Sequence, residues 1–245
     1  MSTPLVIASR FNGPPTSGNG GYVSGRLARE LQERRGKVEA VEVTLRAALT
    51  LDKPLDVRDR PDSGVSLYDG DQLLAEAVAT SLALDVPTPP SLDEARAAGV
   101  IGRMRSASGN AYLKCFGCGM SRAEHEGLRL NPTPVGEADQ VASDWIPHEA
   151  FADEDGTVPA EIVWTALDCP AGFAWGFKTG DGNAGLLTGR ITLAQSGEVR
   201  AGQTYIVTAW PLEREGRKLH AGAALHDAEG RLVAWSRQLW FGAKG

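Results

Sequence analysis

A chain of 245 residues, 42% hydrophobic and 23% charged, has the composition of a folded globular protein and not of a disordered one. A net charge of −6 with no basic stripe excludes nucleic acid as the main partner. No apolar run reaches the ~20 residues of a membrane span, residues 1–11 lack the layout of a secretion signal, and three cysteines make no disulfide framework. A cytoplasmic compartment is therefore expected.

Residues 5–11 read as a short strand running into the turn cluster Asn12-Gly13-Pro14-Pro15. From Tyr22 onward, Val23, Leu27 and Leu31 recur at helical spacing, and Gly36 is a natural stop. This helix opens on Gly20, Gly21 and Gly25, although each glycine inside a helix costs ~1 kcal/mol against alanine. Something other than helix propensity must explain them. The period then changes to two: Val41, Val43 and Leu45 alternate with polar residues. Further strands are expected at 54–58, 65–68 and 73–84, with Asp69-Gly70 as hairpin chemistry. The proline-rich stretch at 86–90 marks a boundary, and 91–110 reads as a short helix plus polar connector.

The second half repeats the order with longer loops. Residues 128–134 and 140–146 read as a hairpin, and an acidic loop at 151–158 leads to a helix from Pro159, which is nearly apolar all round through Phe177. Strands follow at 186–194, 204–213, 218–227 and 232–241. Aligning the two helices puts both halves in register. The expected organisation is a first unit over 1–90, a linker over 91–110 and a second unit over 111–245. Each unit would be an antiparallel sheet wrapped around a central helix, an α+β architecture with two sheets joined side by side.

The residues now resemble a family, the hotdog-fold acyl-CoA thioesterases, particularly the phenylacetic-acid-pathway type. Three stretches carry the likeness: Cys115-Phe116-Gly117-Cys118-Gly119 followed by Gly127-Leu128-Arg129-Leu130, Trp164-Thr165-Ala166-Leu167-Asp168, and Asn19-Gly20-Gly21 in the place of the family's His-Gly-Gly. The resemblance implies a tandem double hotdog with the active site between the units. It implies Asp168 as general base or nucleophile, and a backbone N–H at Gly20 or Gly21 polarising the thioester carbonyl at a helix start. Asn19, Trp164 and Thr165 would border the substrate.

The two copies are unequal. Counting eight residues from Gly20, the family's spacing, reaches Ala28, and counting back from Asp168 reaches Ala160. One half keeps the glycines and the other keeps the acid, so a single composite site per chain is expected, with its mirror site dead. The expected activity is hydrolysis of an acyl-CoA or related thioester, with coenzyme A as a substrate part and no retained cofactor. The rival is a non-catalytic acyl-thioester or small-ligand binder whose sites have decayed; a hydratase ranks lower, because no Asp–His pair is recognisable. One internal pairing of units is compatible with a monomer or with a further homodimer.

Other motifs read blandly. Cys115-x-x-Cys118 has no second cysteine pair to complete four zinc ligands and Cys169 is distant in sequence, so no metal is expected and the pair reads as a turn with small core residues. His148 could border a substrate mouth. His220 and His226 share one strand face and read as surface or hydrogen-bonded histidines.

Overall fold

The computed structural model describes residues 4–109, 112–136, 139–180 and 185–242. In chain order the elements are β1 (Leu5–Val6), α1 (Gly20–Arg35), β2 (Ala40–Leu45), β3 (Pro54–Asp59), β4 (Val65–Asp69), β5 (Gln72–Thr80) and α2 (Leu92–Gly109). They continue with β6 (Thr133–Val135), β7 (Gln140–Trp145), α3 (Ala160–Thr179), β8 (Leu187–Gln195), β9 (Tyr205–Glu215), β10 (Lys218–Asp227) and β11 (Leu232–Phe241).

The described strands form one continuous antiparallel sheet in the order β1-β3-β4-β5-β2-β8-β11-β10-β9-β7-β6. The two separate sheets expected from the sequence are thus corrected to one. The reason is the seam: β2 pairs with β8, Ala40 opposite Ala194 and Thr44 opposite Arg190, so backbone hydrogen bonds run unbroken from half to half. Read outward from that seam, both halves have the same order, a helix-following strand, then the last, middle and first strands of a meander, then an edge. The order of elements about the seam is thus alike in the two halves.

Helix α3 is buried from Glu161 to Gly176, because the sheet curls around it and leaves no wet face. Leu167, Ala171 and Trp175 enter the same core as Ile191, Val207 and Leu225 from the strands. Helix α1 lies alongside α3, and its glycines are the reason the two can touch. A Cβ on Gly21 would stand 2.6 Å from Asp168 Cβ and 2.7 Å from the Trp164 carbonyl oxygen; one on Gly25 would stand 2.4 Å from Glu161 Cα. The propensity cost of two helical glycines is offset by backbone-to-backbone packing that any larger residue would prevent. The same offset along the chain relates Gly21 to Glu161 and Gly25 to Thr165, and the contacts exchange accordingly: Gly21 meets Thr165, and Gly25 meets Glu161.

Helix α1 begins on the glycines, at Gly20, with Asn19 as its cap. Three local expectations change. The first strand ends at Val6, since Ser9–Phe11 is a turn of 3-10 helix. Residues 128–130 do not form the near arm of a hairpin: Arg129 has φ 53°, and the Leu128 and Leu130 N–H groups donate to the Phe116 and Gly117 carbonyls. The connector over 91–110 is mostly α2, an 18-residue helix packed on β6 and β7, where Gly102 lets the backbone approach Asn131 and Thr133 Oγ1 donates to the Ala98 carbonyl.

Candidate active site

Asp168 sits at the crossing of α1 and α3 and is only 2% exposed. Its carboxylate takes three hydrogen bonds. The Gly21 backbone N–H donates to Oδ2 at 3.0 Å, the Asn19 side-chain Nδ2 donates to the same oxygen at 3.2 Å, and Thr188 Oγ1 donates to Oδ1 at 2.7 Å. The first two come from the first half of the chain and the third from the second. Burial pushes the Asp168 carboxyl up to about 6, against the lowering effect of the three donors. A carboxyl with that pKa is mostly charged at neutral pH yet takes up a proton readily, the range suited to a general base.

Each neighbour has a local reason. Asn19 is the N-cap of α1: its Oδ1 accepts from the Tyr22 N–H at 2.9 Å while its Nδ2 faces Asp168. A carboxamide can do both, whereas Asp here would set two carboxylates together. Gly21 is the second residue of the helix, so its N–H has no partner inside α1 and is turned to the acid at the positive end of the helix dipole. Gly20 makes room for Thr188, whose Cβ and Oγ1 would both lie 3.0 Å from a Cβ at position 20. Gly20 and Thr188 are half-buried, whereas Asn19 and Gly21 are buried.

The structure therefore brings Asn19, Gly20, Gly21 and Asp168 together. Gly21 and Asp168 are in direct contact, not separated by the width of a substrate, so the Gly21 N–H holds the acid. Trp164 and Thr165 lie one turn earlier on α3 and are buried; Thr165 Oγ1 donates to the Glu161 carbonyl. Their backbone is what Gly21 packs on. At the mirror position stand Ala28 and Glu161; Glu161 pairs with Arg26 and Arg29 and has no equivalent of the Asp168 cage.

Two polar residues escaped the sequence reading. Thr188, at the start of β8, is one. The other is Gln238, 1% exposed on β11, whose Nε2 donates to the Leu167 carbonyl at 2.7 Å and whose Oε1 accepts from Trp240 Nε1 at 2.9 Å. Gln238 thus grips the peptide bond that carries Asp168. A threonine and a glutamine inside expected strands give no local signal; only the sheet's closure around α3 brings them to the acid.

His148 caps a turn through Nδ1 to the Ala150 N–H and borders a cleft of about 740 Å³ that Trp145, Pro147, Phe151 and Arg129 also line. Asp168 is not among the residues lining it. His226 is not at the surface: it is 2% exposed with its Nδ1 unpartnered, and burial holds its pKa down at about 4.

Comparison with solved structures defines the class. The chain has the hotdog fold of proteins named as thioesterases. It is similar to the tesB protein of Mycobacterium avium subs paratuberculosis, with TM-score 0.59 and 16% identity over 93% of this chain and 88% of that one. It is also similar to a protein assigned as thioesterase II from Thermobifida fusca, TM-score 0.61 and 14% identity over 98% and 91%. A third is a protein assigned as an oleoyl thioesterase from Lactobacillus plantarum, TM-score 0.58 and 10% identity over 98% and 95%. At such identities the likeness establishes the fold. No family model matches the chain, and no curated protein matches it in sequence.

Proposed function

We propose that the chain hydrolyses an acyl-CoA or related small thioester at one composite site per chain, with Asp168 as the catalytic base. The observation that carries this reading is the buried carboxylate held by Gly21 and Asn19 from one half and Thr188 from the other. Water admitted past the half-buried Gly20 and Thr188 would give a proton to the Asp168 carboxylate as its oxygen attacks the thioester carbonyl. The C–S bond then breaks, and the departing thiolate recovers the proton. Thr188 fixes the face of the carboxylate, and Gln238 fixes the turn of α3 that bears it. On this reading the halves 1–90 and 111–245 are tandem copies joined through 91–110, with no metal or retained cofactor taking part in the hydrolysis. No helix among the described residues is long and apolar enough to cross a membrane.

A second reading, a binder of acyl thioesters without turnover, is favoured by one observation: the Gly21 N–H is occupied by Asp168 and is not available to a developing oxyanion. A panel of short, long and aryl acyl-CoAs separates the two. Release of free coenzyme A with any member supports the enzyme. Saturable binding of the panel with no thiol released supports the binder and refutes the first reading.

A further inference from the structure

The cysteines that the sequence leaves apart meet in space. Cys115, Cys118 and Cys169 have their sulfurs within 4.8 Å of one another, and all three residues are buried and free of disulfides. Cys115 and Cys169 stand 3.7 Å apart. That is about the sulfur–sulfur edge of a tetrahedron built on metal–sulfur bonds of ~2.3 Å.

The chain around them is shaped to the sulfurs. A Cβ on Gly117 would lie 2.8 Å from Cys169 Sγ, so glycine is what admits the third sulfur to the loop carrying the first two. Gly119 is equally confined, its missing Cβ 2.5 Å from the Cys115 and Leu113 carbonyl oxygens, and its N–H closes the turn onto the Cys115 carbonyl at 2.8 Å. Asn131 Nδ2 donates to the Cys118 carbonyl at 3.0 Å and pins the far end. The Gly117 and Cys118 backbone N–H groups turn back toward the Cys115 sulfur. Asn19 Nδ2, one of whose N–H groups goes to Asp168, lies 3.7 Å from Cys115 Sγ and 3.9 Å from Cys169 Sγ, so the two sulfurs share its second N–H. Each ligand of such a cluster binds metal as the thiolate, so loading the site releases protons.

We propose that Cys115, Cys118 and Cys169 form a three-thiolate site for one thiophilic metal ion of the zinc class. An all-thiol donor set selects soft or borderline cations over magnesium or calcium, and the ion's remaining position is left to a ligand from solution. The site is independent of thioester hydrolysis, although Asn19 touches both.

The test uses the full chain purified under reducing conditions after growth with added zinc. Elemental analysis is expected to find about one zinc per chain. After removal of metal by a chelator, cobalt(II) is expected to give sulfur-to-metal charge-transfer absorption that saturates at about one equivalent and is displaced by zinc. Cys169→Ser and Cys118→Ser should each weaken cobalt binding by at least ~10-fold, while Asp168→Asn keeps it, so failure of the hydrolytic reading leaves this outcome standing. If the serine variants do not fold, thiol labelling of the native chain decides: zinc should protect the three cysteines and the chelator should expose them. A metal-free chain with no charge-transfer band and labelling indifferent to zinc overturns the proposal.

Discussion

Replacing Asp168 with Asn should remove the activity and at the same time stabilise the protein at neutral pH. The carboxyl titrates at about 6 in the fold against 3.8 for the free side chain. At 1.36 kcal/mol per unit, keeping it charged in its buried site costs about 3 kcal/mol. The folded pKa is the raised one, so the fold is favoured in full below pH 3.8, loses that advantage as pH rises through 6, and carries the whole cost above. Asparagine is nearly the same shape and can keep the cage: its oxygen accepts from Gly21 and Asn19, and its amide donates to a rotated Thr188 hydroxyl. The difference in unfolding free energy, variant minus wild type, should therefore grow by about 2 kcal/mol between pH 4.5 and pH 7.5. Denaturant melts of both proteins at the two pH values measure it through the midpoint at constant slope. A difference that stays flat with pH, or a wild type more stable than the variant at pH 7.5, would refute the claim that this carboxylate is held charged against its surroundings.

Three further outcomes follow from the same geometry. Gly21→Ala drives a methyl into the α3 backbone and should lose about 3 kcal/mol or more in a denaturant melt, whereas Gly20→Ala, which meets only the Thr188 and Leu45 side chains, should melt close to wild type yet lose turnover; equal losses of stability would show that the helix crossing is not where Gly21 matters. Thr188→Val removes a donor that lowers the Asp168 pKa, so the acid limb of its pH–rate profile should move above its wild-type position near 6, with turnover down by roughly tenfold; an unmoved limb contradicts the contact. His226, held neutral by burial, contributes stability that is whole above pH 6.5 and is lost as pH falls toward 4, so the wild type should lose ground to His226→Gln across that window, and parallel curves would place the histidine in solvent.

Much of the fold was legible because it is written in periodicities. Alternation at 41–45 gives a strand, and the nearly all-apolar run through Ile162–Phe177 gives a helix that something must enclose. The pairing of the halves into one sheet was not legible, because β2 and β8 look no different whether they are edges or a seam. Residues 128–130 carry a strand-like pattern, but their N–H groups go to the Cys115–Cys118 loop, a competition no local window contains. The site divides the same way. Asp168 and the glycines are marked by their setting within helices, yet a glycine that donates to a substrate and one that lets two helices touch have the same spacing. Thr188, Gln238 and Cys169 join their partners only when the sheet closes, so distance along the chain hid all three.

The measurement that bears most directly on a single composite hydrolytic site is the steady-state release of coenzyme A thiol at pH 7.5 by wild type and Asp168→Asn, using whichever acyl-CoA the panel finds best. Loss of a general base predicts a fall in kcat of about 10²–10⁴-fold with KM little changed. Turnover by the variant within a few-fold of wild type would contradict the account, since at the mirror position Ala28 stands where an acid would and Glu161 is tied to Arg26 and Arg29.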